Sequence, residues 1–100
     1  MVRHIVIWKF KDELTPEEKC EYAAQIKTRL EGLKSIVAGV ISIEVITELL
    51  PSSAGGDLML NSLFANKSAL DNYQSHPEHQ KISGFVRSLV QSRVCADYVE

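Results

Sequence analysis

The sequence has no cluster of basic residues, no long apolar run, few prolines and glycines, and only two cysteines. Each shortage removes a class of protein. Acidic residues outnumber basic ones, 13 against 11, so no basic surface is on offer to nucleic acid or an anionic membrane. No stretch approaches the ~20 consecutive apolar residues that a membrane-spanning helix needs. The opening MVRHIVIWKF holds a short apolar run broken by Lys9, without the long apolar region and small-residue cleavage site of an export signal. Cys20 and Cys95 lie far apart. Both read as reduced thiols and small packing residues in a cytoplasmic protein. Internal repeats, low-complexity tracts and linkers are absent. The loop-like piece PSSAGG, Pro51 to Gly56, reads as a connection between strands.

What is present suits one globular domain covering residues 1–100. Apolar residues make up 45% and charged residues 24%, enough for a core without disulfides or metals. A chain of this size buries roughly 65% of its unfolded surface.

Val2 to Phe10 is β-branched and aromatic and predicts a strand, with His4, Val6, Trp8 and Phe10 on one face. TPEE follows. Thr15 caps a helix, Pro16 suits its first position, and Glu18 completes a capping box. Tyr22, Ala23, Ile26, Leu30 and Leu33 form its apolar stripe, to about Leu33. Gly39 to Leu49 predicts a second strand, with Ile41, Ile43 and Val45 on one face and Val40 and Ile46 on the other. Asp57 to Phe64 predicts a third, with Leu58, Leu60 and Phe64 on one side and Met59 and Leu63 on the other. A short helix follows, capped near Asn66. Pro77 opens another helix, and a last strand covers about Arg93 to Val99.

The order β-α-β-β-α-β is the ferredoxin-like α+β arrangement, an antiparallel sheet with helices on one face. The first and third strands are apolar on both faces, and no segment remains to cover the second face. An apolar patch of that kind predicts a partner, and the simplest one is a second copy packed sheet on sheet about a two-fold axis.

The segment YQSHPEHQKI, Tyr73 to Ile82, carries two of the three histidines. His76 precedes Pro77 and reads as the cap of the last helix. His79 admits two readings. It is a general base with Tyr73 as its hydrogen-bonding companion, or it bonds a backbone carbonyl and is structural. A zinc site needs three or four protein ligands, and no spacing supplies a third here, so neither metal nor cofactor is expected. His4 shares the helix-side face with Val6 and Trp8, within reach of Tyr73 or Asp97.

HIVIWKFKDELTPEE at the start, ALDNYQSHPEHQKI in the middle and ADYVE at the end resemble the Dabb family of stress-responsive dimeric α/β-barrel proteins. The Y-x-x-H-P-x-H element is the most specific part. The resemblance implies a ferredoxin-like subunit paired through its sheet into an α/β barrel. One plant branch of the family is a polyketide cyclase that performs an intramolecular aldol condensation with a Tyr and a His of this motif. Those positions are Tyr73 and His79 here, and the branch's first-strand histidine matches His4. Trp8 replaces a smaller aliphatic of that branch, Ile26 replaces a tyrosine, and an aromatic pair is reduced to Tyr22 beside Ala23. These departures argue against the same long-tailed substrate.

The resulting expectation is a cytoplasmic homodimer with a small apolar cavity in each subunit. His79 and Tyr73 are the candidate catalytic pair for an aldol- or enolisation-type cyclase or lyase. His4, Trp8, Tyr22, Ile26 and Leu60 are the candidate contacts for a small apolar metabolite. Two other readings stand beside it. One is a non-enzymatic stress-associated dimer whose cavity is plugged by Trp8. The other is a binding module for a small metabolite.

Overall fold

The computed structural model describes all 100 residues. The elements run β1 (Val2–Phe10), α1 (Pro16–Glu31), β2 (Val40–Ile46), β3 (Leu58–Phe64), α2 (Lys67–Ser75), α3 (Pro77–Arg87) and β4 (Val90–Val99). A 3₁₀ turn over Gly32–Ser35 extends α1 and buries Leu33. The sheet is antiparallel in the order β2-β3-β1-β4.

Local chemistry sets the helix starts. The Glu18 N–H donates to Thr15 Oγ1 at 3.1 Å, and the Thr15 N–H donates to Glu18 Oε1 at 2.9 Å, closing the capping box. Asn66 Oδ1 accepts from the Ala69 N–H at 2.9 Å and starts α2. His76 is extended at φ −63°, ψ 134°; it ends α2 and caps α3, its Nδ1 accepting from the Glu78 N–H at 3.1 Å. A proline at the next position locks that bend.

One face of the sheet carries the core. Val6, Leu58, Leu60, Phe64, Ile26 and Leu33 are each no more than 2% exposed, and β3 alternates strictly between buried and half-buried positions. The parity of β2 departs from simple alternation. A bulge lies between Val40 and Ser42, opposite Phe64 and Leu63. The extra residue moves Val40 onto the core side with Ile43 and Val45 and leaves Ile41 40% exposed. A second irregularity, opposite Lys9 and Phe10, lets β4 begin at Val90 rather than Arg93. Both cysteines are free and exposed, so neither is the packing filler that the sequence predicts.

Tight packing appears at Gly39, whose φ is +85°; a Cβ there would meet Ala69 Cβ at 2.5 Å. Only glycine joins the 3₁₀ turn to β2 this close to α2.

The other face of the sheet has no helix over it. Ile5, Ile7, Met59 and Leu63 are half-buried there, and Val94 and Tyr98 are 58% and 48% exposed. At the β2 edge, Glu31 Oε2 accepts from the Val45 N–H at 2.9 Å while Lys27 Nζ donates to the Val45 carbonyl at 2.8 Å. The two side chains bond each other at 2.8 Å. Burial works to raise the Glu31 carboxyl, but the Lys27 ammonium and the Val45 N–H prevail and hold it below its ordinary value.

Candidate functional site

A cavity of about 270 Å³ lies between the β1–β3 face and α3. A dry apolar cavity of roughly 150 Å³ accepts a benzene ring, so this one holds a ring with a short substituent. Val6, Trp8, Leu60, Ile82 and Val86 supply apolar walls, and Tyr73, His79 and His4 supply polar groups. Trp8 therefore lines the cavity and does not plug it. Ser83, Arg87 and Arg93 also line it. Neither arginine forms an ion pair within the chain.

The bend at His76 brings the candidate pair together. Tyr73 lies on the last turn of α2 and His79 on the first turn of α3, with ring centroids 4.4 Å apart and planes tilted by 47°. The end of α2 leaves the Gln74 carbonyl without a helical partner, and His79 Nδ1 at 3.1 Å and Gln80 Nε2 at 2.9 Å both donate to it. A carbonyl only accepts, so Nδ1 carries the imidazole proton and Nε2 keeps its lone pair. Burial holds His79 below its ordinary pKa. The Gln74 bond opposes that shift, and His4, Arg93 and His76 add to it. The imidazole is thus neutral near pH 7.

Tyr73 is fully buried, and its hydroxyl has no hydrogen-bond partner, alone among the buried side-chain polar atoms. Burial raises its pKa far above the ordinary phenol value, so the hydroxyl stays protonated and able to donate. Leaving such a group unmatched costs about 1–3 kcal/mol.

His4, 2% exposed, is held from the strand beside it. The β1–β4 register sets it opposite Asp97, and Nδ1 donates to Asp97 Oδ1 at 2.5 Å. Its ring meets Tyr73 and Phe64 edge-on at 6.4 and 6.3 Å. Cys95 lies two residues along β4 on the same face, its Sγ 3.7 Å from His4 Nδ1 and 3.5 Å from Asp97 Oδ1. These three donors could hold a metal ion.

Of the residues expected at the site, His79, Tyr73, His4, Trp8 and Leu60 line one cavity. Tyr22 and Ile26 do not. Tyr22 packs edge-on against Phe85 at 6.0 Å, and Ile26, with no exposure, is core between α1 and the sheet. Their helical stripe marks burial but not which neighbour fills it. Ser83 and Arg87 follow His79 at four and eight residues along α3, a spacing that marks them in the sequence. Arg93 is opposite Trp8, which only strand register shows.

Comparison with known proteins agrees with this architecture. A dimeric ferredoxin-like protein of unknown function from Bacteroides fragilis is 30% identical, with a TM-score of 0.90 over 99% of this chain and 95% of that one. A hydroxynitrile lyase from Passiflora edulis is 20% identical, with a TM-score of 0.80 over 99% of this chain and 92% of that one, a likeness of fold. A Dabb family protein from Mesorhizobium loti, also of ferredoxin-like fold, is 25% identical, with a TM-score of 0.72 over 99% and 95%. No curated protein matches the sequence. The model of the stress responsive A/B barrel domain matches residues 2–100, and the chain belongs to that family, Dabb.

Proposed function

We propose that the protein is a homodimeric lyase or cyclase that makes or breaks a carbon–carbon bond beside a carbonyl. His79 is the base and Tyr73 the hydrogen-bond donor. The orphaned Tyr73 hydroxyl beside the cavity carries this reading. A buried donor without a protein acceptor is one that a ligand oxygen satisfies.

The chemistry follows from the two rings. Nε2 of neutral His79 removes a proton from carbon next to a carbonyl, or from a hydroxyl on the carbon that becomes one. Negative charge then gathers on the carbonyl oxygen of an enolate, and the Tyr73 O–H donates to it. Retro-aldol cleavage and aldol cyclisation share this requirement; in cyanohydrin cleavage the oxygen charge forms the carbonyl and the carbon–carbon bond pair leaves with cyanide. The fold neighbour described as a hydroxynitrile lyase makes the lyase side concrete. The unpaired Arg87 and Arg93 suit a substrate or intermediate with negative charge, and the apolar walls suit a small ring or branched chain.

The dimer reading rests on the uncovered apolar sheet face and on fold neighbours described as dimeric. No helix is long and apolar enough to cross a membrane. Two free thiols suit the reducing cytoplasm.

The test is proton exchange in D₂O at the α-carbon of small β-keto acids and aryl ketones, followed by NMR. The native protein should accelerate exchange, and Tyr73→Phe and His79→Ala should each slow it. Saturable binding without exchange would move the protein to the binding-module reading. Neither binding nor exchange across the panel would defeat the proposal.

A further inference from the structure

We infer that His4, Cys95 and Asp97 form a binding site for a borderline divalent metal ion of the Zn²⁺ or Co²⁺ type. The donors do not belong to the HPEH segment. The register of the edge strand assembles them.

The distances carry the argument. In a tetrahedral zinc site the bonds are about 2.3 Å to sulfur and about 2.0–2.2 Å to imidazole nitrogen or carboxylate oxygen. Those lengths and a tetrahedral angle put neighbouring donor atoms roughly 3.4–3.6 Å apart. Here sulfur is 3.7 Å from the His4 nitrogen and 3.5 Å from the Asp97 oxygen, so two of the three edges of the donor triangle are already set. The third, nitrogen to oxygen, is 2.5 Å because a proton bridges it. Exchanging that proton for a metal ion widens this edge by about 1 Å, which needs only side-chain rotation of Asp97, 42% exposed.

Rigidity and access are also arranged. His4 is clamped by burial, and its carbonyl accepts from the fully buried Ser62 hydroxyl at 2.8 Å. Cys95 and Asp97 stand at i and i+2 on one face of β4, both open to solvent. An ion reaches them from outside, and water takes the fourth position, as in zinc sites with three protein ligands. One soft, one borderline and one hard donor favour zinc or cobalt over magnesium or calcium, which take oxygen ligands.

The proton balance is explicit. The bridging proton leaves Nδ1, whose lone pair then binds the metal while Nε2 carries the imidazole proton. The Cys95 thiol loses its proton to solvent. A coordinating thiol is deprotonated outright by the metal charge. Metal binding also makes Nε2 of His4, a cavity-lining residue, a donor.

The test uses the full-length protein, reduced with a non-thiol reductant and titrated with Co²⁺. One equivalent per chain should give a near-ultraviolet thiolate-to-cobalt charge-transfer band with intense tetrahedral visible bands, both abolished by Zn²⁺. Cys95→Ser should remove the charge-transfer band and weaken affinity by more than the roughly 10–100-fold that even outer-shell changes cost. Asp97→Asn should weaken binding while retaining the band. Cys20→Ser, which removes the only other thiol, should change nothing. In histidine ¹⁵N spectra, Zn²⁺ should remove the proton from Nδ1 of His4 and leave Nε2 protonated. No cobalt band, a band that survives Cys95→Ser, or a weak octahedral spectrum would overturn the site.

Discussion

Tyr73 and His79 face each other across the His76–Pro77 bend, and one of them has a hydroxyl without a partner while the other has a fixed tautomer. A pair selected for stability alone would satisfy that hydroxyl. Tyr73→Phe should therefore leave stability unchanged or raise it by about 1 kcal/mol, because an unmatched buried donor disappears. The same change should remove most of the α-proton exchange. Thermal melts and exchange rates measured on one preparation check both halves, and a clear loss of stability would mean that the hydroxyl has a structural partner.

His79→Ala should keep the fold and slow exchange by about 10²–10⁴, the usual contribution of a general base. Stability should fall by about 1 kcal/mol for the lost bond to Gln74. Circular dichroism and the exchange assay separate the two effects.

The pH dependence has a defined sign. The folded pKa of His79 lies below its ordinary value of 6.5, so the unfolded chain binds the extra proton first. This stability contribution is complete above pH 6.5 and is lost as pH falls through the lowered folded value. Activity should follow the same limb, level above neutrality and falling in acid. The raised Tyr73 pKa keeps the alkaline limb far away. Melting temperature and exchange rate across pH 4–8 test this, and a rate that rises in acid contradicts the assigned base.

Ile5 is opposite Asn61 and Ala96 on the uncovered face, away from the turn whose Gly56 abuts Ile7. Ile5→Glu should convert the dimer to monomer or unfolded chain, since a charge would lie in a dry interface. Light scattering with sedimentation checks it, and a native chain that is monomeric at micromolar concentration refutes the sheet-face dimer.

Gly39→Ala should cost at least about 2 kcal/mol, combining a left-handed backbone with a Cβ pressed against Ala69. Gly55→Ala, at φ +69° but in open space, should cost less than Gly39→Ala. Denaturant melts rank the two.

Helix starts, element order and the two-faced strands were legible because each rests on neighbours within a few residues. The Thr15–Glu18 box, the Asn66 cap and the His76–Pro77 bend are written in three- or four-letter stretches. Long-range facts were not. The Ile41 bulge reverses the face of Val40 through pairing with β3, and alternation alone misassigns it. Tyr22 and Ile26 show the converse, since an apolar stripe fixes the inward side but not whether a cavity or a neighbour meets it. His4 and Asp97 are 93 residues apart, and only the β1–β4 register brings them together.

The Lys27–Glu31 clamp on Val45 bears on symmetry. A sheet that grows copy by copy into a filament needs two different receptive edges, so that each copy presents one and offers the other. Here side chains already occupy both backbone groups of Val45 on the β2 edge, leaving β4 as the receptive one. With one edge closed the sheet has no repeating route along its own plane, and the pairing left to it is the closed two-fold one through the sheet face. Lys27→Ala with Glu31→Ala would reopen the second edge and, with it, the route to open-ended assembly.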